Sequence, residues 1–330
     1  MSSDEFRPVY HPAGHDAELR AVVQELRTGR WMSMRNLLAD TADWASWTRR
    51  TQVLAAAAAG TDTVHIWRTE EPHSAAATVM HARVAVERAV RAHRDRHPET
   101  ANLWHEAWEA CQVCIGQLPD DPVPWVCLLA LSPLDRGRRM PEHRVPPPGP
   151  MLFPGPWGLL GEVAKRDPDC REAHQRMLQF VYSRNPRGSL PEAVNYARWA
   201  TASAPAGSPV HVLPLYVRVE RYRRERGQDR ALDLHWVTDD AIRDALAGLR
   251  NWFEYADPAD SSLLDLSHLA HALWGAHQFS EAARVFRALG PYYAPVPWTY
   301  RMRDDHDDIA QGAQELFLRA RSRCLHAPSA

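Results

Sequence analysis

Apolar residues return every three or four positions along most of this chain. Leu19, Val22, Val23 and Leu26 make the first such stripe, the spacing that places side chains on one face of an α-helix, and Gly29 interrupts it. The same periodicity predicts helices over 31–38, 44–59, 74–95, 101–117 and 124–131. Beyond residue 156 it predicts them over 157–166, 169–184, 190–203, 209–226, 238–255, 262–275, 279–289 and 305–324. Pro98 and Thr100 suit a boundary, since proline cannot join the preceding hydrogen-bond ladder and threonine caps the next helix. The last helix has its stripe at Ile309, Ala313, Leu316, Phe317 and Ala320. Asp304, Asp305, Asp307 and Asp308 stand at its start and Arg319, Arg321 and Arg323 at its end, as the helix dipole favours. No convincing strand alternation is present, although 211–217 can be read either way. The expected class is all-α, an array of antiparallel helix pairs or an irregular helical bundle.

One stretch breaks the pattern. Seven prolines fall within 141–156, a density that neither a regular helix nor a central strand tolerates. This divides the chain into an N-terminal helical section (1–140), a proline-rich connection (141–156) and a C-terminal helical section (157–330). Met151, Leu152, Phe153 and Trp157 offer apolar anchors, so the connection is read either as a tether or as a loop packed across helices.

Helix pairs joined by short turns raise the question of a repeat. Leu266, Leu269, Ala270 and Leu273, followed by Ala282, Phe286 and Leu289 and then Pro295, resemble the packing positions of a tetratricopeptide repeat. A second match runs through Met177 and Phe180, then Ala193, Ala197 and Ala200, to Pro205, and a third through Val86, Val90 and His93 to Pro98. Small residues at these positions permit close helix crossing, and the aromatic or leucine fills the groove beside them. The usual glycine position is Ala270 in the first unit and Val181 in the second, and the spacing between units is irregular. The chain therefore resembles degenerate tetratricopeptide-like repeat proteins over a third to half of its length. That resemblance implies a TPR-like superhelix that binds proteins or peptides along a concave surface.

Composition narrows the function classes. With 330 residues, 45% hydrophobic and 24% charged, the chain can bury real cores without staples or metals. A net charge of -2 advertises neither a nucleic-acid nor a membrane partner. The first residues lack a basic region followed by an apolar one, and no stretch approaches the length of a membrane span, so cytoplasmic residence is expected. Five cysteines make no disulfide framework. Lys165 is the only lysine among 39 basic residues, and no phosphate-cradling loop surrounds it. This arginine- and alanine-rich usage has the signature of a GC-rich, actinobacterial-type genome.

Candidate chemistry is sparse, and no cofactor is expected. Cys111 and Cys114, with His105 nearby, invite a metal reading, but on a helix His105 points nearly opposite Cys114, and no metal site is expected there. On the helix over 262–275, Asp265, His268 and His271 lie at three-residue steps on the side away from Leu266, Leu269 and Leu273. They read as a solvated polar face that could contact a ligand. Trp274 could add an apolar anchor beside them. Arg218, Arg221, Arg223, Arg224, Arg226 and Arg230 form the densest basic run, in which Arg221 and Arg224 are candidate contacts and Tyr216 or Tyr222 could stack. Glu220, Glu225 and Asp229 interrupt it. The 13 tryptophans fill helix junctions or, near loops, form recognition surface. No ordered catalytic motif names a reaction.

The expectation is a protein- or peptide-binding helical scaffold with a regulatory role. An enzyme with its site assembled between non-consecutive helices and a nucleic-acid-responsive regulator are the alternatives. A small-molecule ligand stays compatible with all three.

Overall fold

Polar caps and prolines cut the amphipathic chain into short helices. The computed structural model describes residues 6–135, 137, 139–184, 189–225, 232–301 and 308–326. Over these the α-helices are α1 (Ala17–Leu26), α2 (Met32–Ala39), α3 (Trp44–Ala58), α4 (Thr63–Glu70), α5 (Ala75–Arg94), α6 (Thr100–Gln117), α7 (Val123–Leu131) and α8 (Trp157–Ala164). They continue as α9 (Arg171–Arg184), α10 (Ser189–Ser203), α11 (Leu213–Glu225), α12 (Asp239–Gly248), α13 (Leu263–Gly275), α14 (Phe279–Leu289) and α15 (Ile309–Leu325). No strand occurs among the described residues beyond one isolated bridge, Val9 to Tyr292, so the fold class is all-α. No helix among them is long and apolar enough to cross a membrane.

Caps act where the sequence offers them. The amide of Ser46 donates to Asp43 at the start of α3 and that of Ala77 to Ser74 at the start of α5, satisfying helix-end donors. Asp308 caps α15 through Ala310 and Gln311; Asp304, Asp305 and Asp307 lie outside the described residues. Residues 209–212 form a 3₁₀ turn leading into α11, so the ambiguous 211–217 segment is helical. The helix expected over 238–255 changes hydrogen-bond register after Gly248: the Glu254 amide donates to Leu249 five residues back at 3.0 Å, a π turn.

The chain divides into two compact units, Ala17–Tyr196, and Ala197–Ala330 together with Met1–Asp16. This differs from a boundary at 141–156. In the Ala17–Tyr196 unit, α5 packs with α3, α4, α6 and α7. Every residue of α7 except Trp125 is buried, as expected for a helix apolar on all sides. The proline-rich stretch is irregular but belongs to this unit. Phe153 is buried against Trp157, Phe180 and Tyr196, and the Trp157 indole donates to the Phe153 carbonyl at 2.7 Å. Buried His143 meets buried Asp135 at 2.8 Å. These anchors make the segment a packed loop rather than a tether.

In the other unit, α13 lies at the centre, packed by α11, α12 and α14. Leu266, Leu269, Ala270 and Leu273 of α13 share one core with Ala282, Phe286 and Leu289 of α14, Trp298, and Phe317 of α15. The N-terminal segment joins this core: the Val9 amide donates to Pro291 at 2.9 Å and the Tyr293 amide to Val9 at 3.0 Å.

Candidate functional site

The site grows from the polar side of α11. Leu213, Leu215, Val217 and Val219 are buried, which leaves Arg218, Arg221 and Glu225, at intervals of three and four, on the remaining face. A cavity of about 510 Å³ opens beside them. Its wall takes Arg218, Arg221 and Tyr222 from α11, His235 and Trp236 from the turn before α12, and Thr238, Asp239 and Asp240 from the start of α12. Thr238 caps that helix through the Ala241 amide, which holds the turn against the helix.

Ion pairs set the directions of the arginines. Arg218 reaches Asp244 through Nε at 2.8 Å and Nη2 at 2.6 Å. Arg221 uses Nε on Glu225 at 3.0 Å. The Tyr222 hydroxyl donates to Asp233 at 3.0 Å. Trp236 is buried, and its indole N–H has no acceptor among the described residues.

Behind Trp236 lies an aromatic layer. The His271 ring meets Trp236 edge-on at 4.7 Å and Trp298 at 5.0 Å, and neither ring nitrogen has a hydrogen-bond partner among the described residues. Burial first, then the Arg301 and His268 charges, hold its pKa well below the ordinary histidine value, so the ring is neutral. Arg301 lies over Trp274 at 4.6 Å and over Trp236 at 5.5 Å, with its Nε on Asp233 at 3.2 Å. Burial lowers its pKa, although Asp233 opposes that shift.

The structure corrects the polar face expected on α13. Asp265, His268 and His271 are each only 1% exposed. Asp265 accepts the Tyr216 hydroxyl at 2.5 Å, and His268 stacks on the Tyr216 ring at 3.8 Å while Nδ1 bonds the Leu264 carbonyl at 2.7 Å. These three side chains face α11 and the aromatic layer because α13 is packed on more than one side. Trp274 is half-buried under Arg301. Arg221 does line the cavity. Arg224 does not: it turns to Glu220 at 2.6 Å with its side chain 14% exposed. Arg226, Asp229 and Arg230 lie outside the described residues.

Cys111 and Cys114 are both buried thiols, with pKa values pushed above the ordinary range mainly by burial. Among the described residues no three His, Cys, Asp or Glu side chains group as a metal site would need. The other unit has a second cavity, of about 470 Å³, where Trp44, Trp47 and Asp121 form part of the wall. There the Trp47 indole already donates to Asp121 at 3.0 Å. Arg221 and Tyr222 are legible in the sequence as part of the basic run, whereas the contribution of His235 and Trp236 is not. The pattern His235-Trp236-x-Thr238-Asp239-Asp240, an aromatic turn before a capped helix start, was the available signal.

No family model, curated protein or solved structure matches the chain.

Proposed function

We propose that this chain is a protein- or peptide-binding helical scaffold, with recognition carried by residues 197–330 and a tetratricopeptide-like packing of α13 on α14. The open cavity beside α11 carries this reading. Guanidinium edges and aromatic faces around an open space are the side chains that anchor protein recognition sites. The arginine run supports a protein partner over nucleic acid. Arg218 pairs with Asp244, Arg221 with Glu225, and Arg223 and Arg224 with Glu220, so their charge is largely neutralised locally. The five cysteines are all buried as free thiols, which supports residence in a reducing compartment, the cytoplasm.

Panning a random peptide library against the full chain, followed by direct titration of the enriched peptides, tests the reading. Enriched peptides should bind wild type and lose affinity to Arg221→Ala, with Arg319→Ala as an unaffected control. Failure to enrich any sequence over repeated rounds, or enrichment indifferent to Arg221, overturns it.

A further inference from the structure

We infer that the cavity beside α11 is a carboxylate site, taking a singly charged carboxylate joined to an aromatic or apolar body. Recognition of a peptide's acidic side chain there rests on the scaffold reading; binding of a free carboxylic acid does not.

Unused donors are the first observation. Among the described residues, Arg218 spends Nε and Nη2 on Asp244 and leaves Nη1 without a partner, and Arg221 spends Nε on Glu225 and leaves both Nη groups. Trp236, 2% exposed, contributes to the wall of the cavity, but its indole N–H is sealed from that space, so the donors a ligand can reach are those of Arg218 and Arg221. A carboxylate offers two acceptor oxygens with about four lone-pair sites, and it matches the fork of a guanidinium.

Charge at the mouth decides between carboxylate and phosphate. Asp239 and Asp240 are exposed there, and Asp244 and Glu225 already offset the two arginines. Arg243 pairs with Asp240, so these groups together leave one net negative charge at the mouth, and a dianion entering there is disfavoured. A monoanion meets half of that repulsion, which the short-range bonds to the two guanidinium edges offset. The apolar body follows from the partly exposed Tyr222 ring, which packs on buried Trp236 with centroids 6.2 Å apart and offers apolar wall to the cavity.

The test uses three probes on the full chain, followed by ligand-observed NMR at millimolar concentration: phenylacetate, the neutral phenylacetamide and the dianionic phenyl phosphate. Phenylacetate should bind, and the other two should bind about tenfold more weakly or not at all. Arg221→Gln should weaken phenylacetate about tenfold. Asp239→Asn combined with Asp240→Asn should admit phenyl phosphate. Absence of phenylacetate binding, equal binding of all three probes, or indifference to Arg221→Gln overturns the carboxylate site. If panned peptides bind but carry no acidic residue and phenylacetate does not displace them, the carboxylate site fails while the scaffold reading stands. If phenylacetate binds through Arg221 and no peptide enriches, the site stands and the scaffold reading fails.

Discussion

Arg83 and Glu172, 89 residues apart in sequence, meet in a buried ion pair at 2.8 Å inside the Ala17–Tyr196 unit. Arg83 also donates to the Thr51 hydroxyl and the Thr48 carbonyl, and Arg176 shares the Glu172 carboxylate. Burial alone would raise the Glu172 pKa; the Arg83 and Arg176 charges reverse that and hold it below the ordinary range. Removing one partner strands the other as a buried charge. Glu172→Ala should therefore cost about 3–5 kcal/mol, whereas Arg83→Met combined with Glu172→Leu should cost far less than the two single changes summed. Urea unfolding followed by circular dichroism checks both, and additive losses would contradict the pairing.

Acid should destabilise this unit before its carboxylates protonate. Burial brings His174 from 6.5 to about 4 and is the largest cause of the same shift at His81. Below pH 6.5 the unfolded chain takes up a proton that folded His174 refuses, so stability is present above 6.5 and falls as pH drops toward 4. The loss at His174 alone reaches about 2 kcal/mol by about pH 5. The melting temperature should fall between about pH 7.5 and about pH 5, and less steeply in His174→Gln. A flat profile would show that these rings accept protons without unfolding.

Helices with one apolar face were legible in the sequence, and those held by remote contacts were not. The stripe in α14, with Ala282, Phe286 and Leu289, read correctly as core. Helix α4 is not legible because its apolar residues are few; Val64 and Trp67 are buried, but such a short polar segment carries little periodic signal. Local spacing correctly grouped Asp265, His268 and His271 on one face but could not say what covers it. Tyr216, 49 residues away from Asp265, supplies the hydrogen bond and stacking that make burial tolerable. The cavity wall was half legible for the same reason: Arg221 stands in a basic run, whereas Trp236 matters through side chains distant in sequence.

The N-terminal segment should stabilise the unit containing α13. Its strand-like bridge from Val9 to Tyr292 is backed by His15 edge-on to Tyr292 at 4.8 Å and by Arg321 over Phe6 at 3.8 Å. Gly14 makes the turn with φ +56°, where an added Cβ would stand 2.9 Å from Leu263 Cγ. Gly14→Ala should cost about 1–2 kcal/mol from the left-handed backbone alone, read as a lower melting temperature. Deleting residues 1–16 should speed amide exchange at Tyr293, and unchanged exchange there would show that the bridge contributes nothing.

Gly275 should prove essential to the seat of Arg301. An added Cβ would lie 2.6 Å from Arg301 Nη1 and 3.1 Å from Trp236 Cβ and Cγ, closer than packed atoms sit. Part of the obstruction is the end of a flexible side chain, but Trp236 is buried and cannot yield as easily. Gly275→Ala should therefore push Arg301 off the Trp274 face, losing a cation–π contact of about 1–2 kcal/mol and its bond to Asp233. The helix propensity gained from alanine, about 1 kcal/mol, offsets only part of this. Arg301→Leu removes the same contacts by another route, so the two changes together should cost clearly less than their sum. A double-mutant cycle on melting free energies measures that coupling. Additive costs would place the steric conflict of Gly275→Ala entirely on Trp236 rather than on Arg301.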